Sequence, residues 1–79
     1  MKKVTIYTKD YCPYCRAAKQ MLTARGISYI EHDVLGDKAK LQEMIERSGR
    51  FTVPQIFFGD EHIGGHSDLV QYFAKKRVA

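Results

Sequence analysis

The sequence has no apolar stretch near the roughly 20 residues that a membrane-spanning helix requires, so such a helix is excluded. The basic start, Met1 to Lys3, leads into the alternating run Val4–Thr8 and not into the apolar region of a secretory signal. There is no internal repeat and no low-complexity linker. A length of 79 residues suits one hydrophobic core, so we expect a single domain over residues 1–79, in the cytoplasm and without a membrane partner.

Cysteine is scarce, because Cys12 and Cys15 are the only two. A permanent disulfide between them would close a very small loop and contribute little stability. The pair follows the β-like run at residues 4–8 and begins a helix-like run, where free N–H groups and the helix dipole favour a thiolate. A C-x-x-C pair at such a junction indicates redox chemistry, and a single cycling dithiol suits a reducing compartment.

The chain also has only a small excess of positive charge, with a formal net charge of +4. The densest basic run, Lys75 to Arg77, falls at the end of the last predicted helix, where cations complement the negative end of the dipole. No basic groove with interleaved aromatic residues is evident. We therefore expect no nucleic-acid partner.

The hydrophobic pattern predicts an α/β protein with the element order β-α-β-α-β-β-α. The first helix has Pro13 in its first turn and ends at Gly26. Asp37 is the predicted cap of the second helix, which ends at Gly49. The predicted strands are four short runs: residues 4–8, 27–33, 55–58 and 61–64.

The last predicted helix begins with Ser67 as its cap and buries Leu69, Val70 and Phe73. Residues 59–60 form a two-residue hairpin signal between the last two strands. The first β-α-β unit should be parallel and the hairpin antiparallel. These connections predict a mixed four-stranded sheet with helices on both faces.

Three motifs, in this order and spacing, resemble those of the glutaredoxin family: C-P-Y-C at residues 12–15, T-V-P at 52–54 and G-G-H-S-D at 64–68. The resemblance covers nearly the whole chain. It implies a thioredoxin-like fold and a small dithiol enzyme that uses glutathione as reducing co-substrate and binds no cofactor. It further implies that glutathionylated or disulfide-containing proteins are the substrates, with ribonucleotide reductase as a family-level candidate, and we expect a monomer.

The two thiols are expected to differ in role. Cys12 precedes the helix, so its sulfur can face solvent and the first-turn amides, with Lys9 and Arg16 adding positive charge nearby. Cys12 is therefore the predicted nucleophile. Cys15 lies inside the first turn, is more shielded and is the predicted resolving thiol. Attack on a disulfide yields a mixed disulfide at Cys12, which glutathione or Cys15 then opens.

The other two motifs are expected to bind glutathione. The resemblance implies a cis Val53–Pro54 bond that turns the Val53 backbone towards the thiol, to pair with the glutathione cysteine as in an added strand. The N–H groups of Ser67 and Asp68 would receive the γ-glutamyl carboxylate, and Asp68 could meet its ammonium group. The predicted glutathione site comprises Lys9, Tyr14, Thr52, Val53, Pro54, Gly65, Ser67 and Asp68.

Glutathione has a carboxylate at each end, so its groove needs cationic or amide groups at both ends. Lys9 is the candidate for the glycyl carboxylate, with Arg50 as a second one. Tyr14 is expected to line the groove beside Cys12. His66 lies within the third motif, and no role is assigned to it.

Other interpretations of the motifs remain open. The runner-up is a glutaredoxin-like redoxin that thioredoxin reductase recharges, although the ligand end at residues 64–68 argues against it. A carrier of an iron–sulfur cluster with glutathione as co-ligand is less expected when proline follows the first cysteine. Zinc would need His32, His62 or His66 as further ligands, and none lies at a recognised metal spacing, so no metal is expected.

Overall fold

The computed structural model describes residues 3–76, which form a four-stranded sheet and three helices. Met1, Lys2 and Arg77, which enter the expectations above, lie outside these residues. No helix of the described part of the chain is long and apolar enough to cross a membrane. The elements follow the predicted order: β1 Val4–Thr8, α1 Pro13–Ala24, β2 Ile30–Asp33, α2 Lys38–Ser48, β3 Gln55–Phe58, β4 Glu61–Gly64 and α3 His66–Lys76.

The sheet has the strand order β2-β1-β3-β4. Strand β1 runs parallel to β2 and antiparallel to β3, and β3 runs antiparallel to β4, so the predicted mixed sheet is confirmed. Helices α1 and α3 cover one face and α2 covers the other. Because β1 lies between two strands and under helices on both faces, all five of its residues are buried.

Side chains of β1 alternate between the two cores. Val4 and Ile6 pack with residues of α1 and α3, whereas Tyr7 packs with Met44 of α2 and with Phe57. The buried Tyr7 hydroxyl donates a hydrogen bond to the Glu43 carboxylate and accepts one from Arg47 Nη1 at 2.9 Å. A buried hydroxyl without partners would destabilise the fold, because it loses its hydrogen bonds to water. The two bonds to Glu43 and Arg47 replace those bonds and attach α2 to the sheet.

The first helix ends as predicted, but the second strand begins later than predicted. Gly26 has φ 70°, and its N–H binds the Thr23 carbonyl at 2.9 Å while the Ile27 N–H binds the Leu22 carbonyl at 3.0 Å. This is a Schellman C-cap. Since the helix end holds the Ile27 amide, pairing with β1 starts only at Ile30, and the prediction of a strand over residues 27–29 is wrong.

The second helix and the hairpin are confirmed as predicted. Asp37 Oδ1 accepts a hydrogen bond from the Lys40 N–H at 3.2 Å, which caps α2. Gly49 ends the same helix with φ 72°, a left-handed conformation that glycine adopts without strain. Residues 59–60 connect β3 to β4, and Phe58 pairs with Glu61.

The start of α3 differs from the prediction. The helix begins at His66, and the Gly65 carbonyl accepts the Leu69 N–H at 3.0 Å, so Gly65 and not Ser67 is the cap residue. The carboxylate of Asp68 accepts the Gly65 N–H at 2.9 Å, the bond that a side chain makes from the third position of a capping box. The predicted burial of Val70 is also wrong, because 42% of it is exposed while Leu69 is fully buried.

A β-bulge in β4 directly precedes the start of α3. Ile56 pairs with Gly64 and Phe57 with His62, which leaves Ile63 as the extra residue of a bulge. Gly64 has φ 119°, and a Cβ atom there would overlap the Asp68 carboxylate. Only glycine permits both this backbone conformation and the close approach of Asp68.

Substitution of one buried and one exposed leucine tests the packing of α1 against the sheet. Leu22 is fully buried under the sheet, whereas 61% of Leu35 is exposed. We expect Leu22→Ala to lower the free energy of unfolding by about 2–5 kcal/mol and Leu35→Ala to change it by less than about 0.5 kcal/mol. Urea denaturation followed by circular dichroism measures both. Equal losses for the two variants would contradict the placement of α1 in the core.

Candidate active site

Cys12 occupies the N-cap of α1, with an extended backbone at φ −99° and ψ 107°. Its Sγ accepts the Cys15 backbone N–H at 3.3 Å, and its carbonyl accepts the Arg16 N–H at 3.1 Å. Pro13 follows at a position where a helix needs no N–H donor. An amide donor and a helix N-terminus at this sulfur stabilise negative charge on it. The predicted placement of Cys12 at the helix start is confirmed.

Tyr11 is a feature of the site that the sequence reasoning missed. Its φ of 65° makes it the one non-glycine residue with positive φ among residues 3–76, and 93% of it is exposed. Such backbone conformations are uncommon for bulky residues and cluster at functional sites. The turn at Tyr11 bends the chain between β1 and Cys12, and no local sequence signal distinguishes it from an ordinary loop residue.

Cys15 differs sharply from Cys12 in exposure. Only 2% of Cys15 is exposed, whereas Cys12 is partly exposed. Burial, followed by the hydrogen bond with Cys12, raises the pKa of the Cys15 thiol to about 12, against the opposing effects of the Lys9 backbone amide and the Lys19 charge. Cys15 is therefore a neutral thiol near pH 7, beside the partly exposed sulfur of Cys12.

On one side of the thiols lies a cleft of about 110 Å³, which we call the thiol cleft. In it, one Glu31 carboxylate oxygen accepts hydrogen bonds from Thr8 Oγ1 at 2.7 Å and Lys19 Nζ at 2.9 Å. Burial opposes the ionisation of Glu31, but these two bonds outweigh it and lower the pKa of the carboxyl. The lining residues are Lys9, Asp10, Tyr11, Cys12, Cys15, Arg16, Lys19 and Glu31.

On the other side of Cys12 lies a groove of about 290 Å³ lined by Tyr14, Val53, Pro54, His66 and Ser67. Cys12 Sγ lies 3.9 Å from the Val53 carbonyl oxygen, and the Val53–Pro54 peptide bond is cis, as the resemblance implies. The rings of Tyr14 and His66 have centroids 5.8 Å apart. The structure thus brings five residues from three separate segments together beside Cys12.

Gln55, a fully buried polar residue, fixes the T-V-P loop through hydrogen bonds to Thr52. Its Nε2 donates to both the carbonyl oxygen and the Oγ1 of Thr52 at 3.1 Å, and its Oε1 bonds with His62 Nε2 at 2.7 Å. The Thr52 hydroxyl thus already has a partner within the protein. The sequence reasoning placed Thr52 in the site and missed Gln55, whose role depends on contacts that no spacing reveals.

At the α3 end of the groove, the Asp68 carboxylate has two partners. Oδ2 accepts the Gly65 N–H at 2.9 Å and the Arg50 Nη1 at 3.2 Å. The Gly65 amide lowers the pKa of Asp68, burial opposes it, and Arg50 adds to the lowering, so the carboxylate is charged near pH 7. Arg50 therefore lies at the Asp68 end of the groove, and its role as a second partner of the glycyl carboxylate stays a prediction.

The three histidines have separate surroundings. The His32 ring lies 5.3 Å from that of Tyr7, His62 bonds with Gln55, and His66 adjoins Tyr14. Within residues 3–76, no group of three or more His, Cys, Asp or Glu side chains is placed to hold a metal ion.

A C-x-x-C dithiol at a helix start, facing a cis-proline loop at the beginning of a central strand of a mixed sheet, defines a thiol–disulfide oxidoreductase with a thioredoxin-like fold. The family model for glutaredoxin matches residues 4–63. Glutaredoxin 3 of Escherichia coli (strain K12) is 55% identical over 69 residues, which span 87% of this chain and 83% of that protein.

Solved structures agree with the sequence comparison. The solution structure of glutaredoxin from Brucella melitensis has a TM-score of 0.82 at 42% identity, covering 99% of this chain and 85% of that one. A crystal structure of a buckwheat glutaredoxin–glutathione complex has a TM-score of 0.85 at 24% identity, covering 98% of this chain and 73% of that one, which shows likeness of fold. The chain belongs to the glutaredoxin family, whose members are glutathione-dependent thiol–disulfide oxidoreductases. The predicted family, fold class and activity are confirmed.

The burial of Cys15 predicts a large difference in alkylation. At pH 8.5 an ordinary cysteine is about half ionised, whereas a thiol with a pKa of about 12 is ionised in about one molecule in 3,000. We expect iodoacetamide to label Cys12 in the native protein and to label Cys15 in Cys12→Ser only after unfolding in urea. Peptide mass spectrometry measures both rates. Faster labelling of Cys15 than of Cys12 would contradict the assigned asymmetry.

Proposed function

We propose that Cys12 is the nucleophile and Cys15 the resolving thiol of this glutathione-dependent oxidoreductase. The observation that supports this most directly is the difference in access to the two sulfurs. Cys12 is partly exposed and accepts an amide hydrogen bond, whereas Cys15 is buried, neutral and adjacent. Only Cys12 is both accessible to a substrate and stabilised as a thiolate.

With a glutathionylated protein, the proposed reaction uses Cys12 alone. The Cys12 thiolate attacks the glutathione sulfur, a Cys12–glutathione disulfide forms, and the protein leaves as a thiolate that takes up a proton. A second glutathione thiolate then attacks the glutathione sulfur on Cys12. Glutathione disulfide leaves, the Cys12 thiolate is restored, and two glutathione electrons have reduced the mixed disulfide.

With a protein disulfide, the proposed reaction uses both thiols. Cys12 attacks one sulfur, and the other leaves as a thiolate. Cys15 then loses its proton and attacks Cys12 Sγ, which forms the Cys12–Cys15 disulfide and releases the second protein thiol. Two glutathione molecules reduce the enzyme disulfide in turn. Because Cys15 is next to Cys12, its attack on the mixed disulfide is intramolecular and needs no second thiol from solution.

We further propose that glutathione lies in the groove between the T-V-P loop and α3. The supporting observations are the approach of the Val53 carbonyl to Cys12 Sγ and the shared lining of this groove by Tyr14, Val53, Pro54 and Ser67. The Val53 backbone would pair with the glutathione cysteine as an added strand does. Gly65 follows the bulge in β4, and a Cβ atom there would lie 3.5 Å from the Pro54 carbonyl oxygen, so the start of α3 lies close to the T-V-P loop.

The two ends of the proposed site carry the charges that glutathione requires. At the α3 end, the free N–H groups of the first helical turn would bind the γ-glutamyl carboxylate, and the charged Asp68 carboxylate would bind its ammonium group. At the other end, Lys9 lines the thiol cleft beside Cys12 and would bind the glycyl carboxylate. Thr52 would act by holding the loop through Gln55.

Replacement of each cysteine tests the assigned roles. Cys12→Ser should abolish turnover of every disulfide substrate, because no exposed thiol remains. Cys15→Ser should keep turnover of a small glutathione mixed disulfide, which needs one enzyme thiol plus glutathione, and lose reduction of a protein disulfide through the dithiol route. A coupled assay with glutathione reductase measures the first reaction. Activity in Cys12→Ser would exclude Cys12 as the nucleophile.

Charge removal at the two ends tests the glutathione site. Asp68→Asn keeps an oxygen for the Gly65 N–H and removes the charge, and Lys9→Ala removes the cation. We expect each to raise the KM for glutathione about tenfold to a hundredfold, since a charge-assisted contact contributes about 1.5–3 kcal/mol. Asp60→Asn in the hairpin and Lys38→Ala at the start of α2 are the matched controls. An unchanged KM in both site variants would disprove this groove.

The same assay separates the proposed function from the redoxin alternative. We expect turnover with glutathione plus glutathione reductase and none with thioredoxin reductase alone. Turnover with thioredoxin reductase alone would identify a glutaredoxin-like redoxin. A visible absorbance band in the purified protein would identify an iron–sulfur carrier.

The remaining proposals concern the wider context. We propose glutathionylated and disulfide-containing proteins as substrates, with ribonucleotide reductase as a candidate. We also propose a monomer with residues 1–79 as a single domain, without bound cofactor, in the cytoplasm. A dithiol that must return to its reduced state after each turnover fits a compartment with abundant glutathione.

A further inference from the structure

A second groove lies beside the thiol cleft, on the surface of α1. It has a volume of about 410 Å³ and shares Arg16 and Lys19 with the thiol cleft, so the two adjoin each other. We call this second groove the α1 groove. It is lined by Arg16, Lys19, Gln20, Thr23, Ala24 and Tyr29.

The α1 groove is separate from the proposed glutathione groove. Its α1 residues recur at spacings of three and four, which places them on one face of the helix. Its opposite wall is Tyr29, which precedes the edge strand β2. None of its lining residues lines the groove at Tyr14 and Val53, so both can be occupied at the same time.

The cations that line the α1 groove differ in whether they have a carboxylate partner. Lys19 pairs with Glu31, whereas Arg16 has no carboxylate partner within residues 3–76. The end near Cys12 thus presents a cation that attracts an anionic side chain. The far end presents the methyl groups of Thr23 and Ala24 and the partly buried Tyr29 ring.

We propose that the α1 groove binds the segment of a protein substrate that adjoins its reacting cysteine. The segment has an acidic side chain close to the cysteine and an apolar side chain further along. This inference rests on the proposed role of Cys12 as nucleophile. It assigns substrate preference to one face of α1, on the side of Cys12 away from the glutathione groove.

Helix geometry gives the spacing of these side chains. Arg16 lies four residues beyond Cys12, or about 6 Å along the axis, and Thr23 lies eleven residues beyond it, or about 16 Å. An extended chain advances about 3.3 Å per residue. The acidic side chain therefore stands about two positions from the substrate cysteine, and the apolar side chain stands about five positions from it.

The probe is an eleven-residue peptide with a central cysteine, glutamate two positions away on each side and leucine five positions away on each side. This symmetry makes the chain direction irrelevant. In Cys15→Ser carrying a Cys12–glutathione disulfide, the peptide thiolate attacks Cys12 Sγ, a Cys12–peptide disulfide forms, and glutathione leaves as its thiolate. The exchange involves no net oxidation, and chromatography of the quenched mixture measures its equilibrium constant.

Two reference peptides replace either the glutamates by glutamine or the leucines by alanine. We expect the exchange constant of the probe to exceed that of the glutamine peptide about twofold to fivefold at low salt, as one exposed ion pair allows, and to approach it at 1 M salt. The alanine peptide should also exchange less favourably than the probe. The exchange constants of two peptides are compared on the same protein variant. Their ratio is therefore independent of any effect of the variant on the reactivity of Cys12 itself.

Substitutions on α1, with matched controls on α2, test which residues determine the preference for glutamate and leucine in the peptide. Arg16→Gln should remove the discrimination between glutamate and glutamine peptides, while Lys38→Gln on α2 keeps it. Thr23→Glu should remove the preference for leucine, while Ala39→Glu on α2 keeps it. Equal constants for all peptides, with normal glutathione turnover, would overturn the α1 groove and leave the proposed function standing. Failure of Cys12 to form either disulfide would overturn the proposed function itself.

Discussion

The pairing of β1 with β3 determines where every part of the site lies. Tyr7 near the end of β1 is opposite Gln55 at the start of β3, so the chain that enters β3 passes beside the chain that leaves β1. Cys12 and Val53, 41 residues apart in sequence, meet there. The buried Gln55 side chain then holds the loop before β3 through Thr52. A shift of this register by one residue would exchange the side chains that β3 contributes to the two cores and separate the loop from the thiols.

The two sides of the site use the same electrostatic arrangement. On the thiol-cleft side, Glu31 is held by the Thr8 hydroxyl and pairs with Lys19. On the α3 side, Asp68 is held by the Gly65 amide and pairs with Arg50, as described above. In each pair a neutral donor fixes the carboxylate, and the carboxylate in turn positions a long cationic side chain near a groove. The lowered pKa of both carboxyls keeps these arrangements charged at more acidic pH than ordinary carboxyls would allow.

Local signals were sufficient for most of the fold, and long-range contacts explain the rest. Asp37 and Gly49 were predicted correctly because caps depend on residues within one turn. The start of β2 was misplaced because the end of α1 holds Ile27, and Ser67 was misassigned because the cap of α3 depends on the bulge in β4. The C-x-x-C pair located the thiols, but nothing in the sequence links Glu31 with Lys19 or Arg50 with Asp68. Those pairs form only once distant elements pack together.

The burial of Cys15 has a kinetic consequence. A second molecule can approach only one of the two sulfurs, so under the proposed mechanism the oxidised substrate and glutathione must react with the same atom in alternation. Double-reciprocal plots at several fixed glutathione concentrations would then be parallel lines, the pattern of a substituted-enzyme mechanism. Each of the two substrates would also inhibit at high concentration, because it occupies the form of the protein that the other one needs. A single accessible sulfur thus makes the rate depend on the concentrations of both substrates at once.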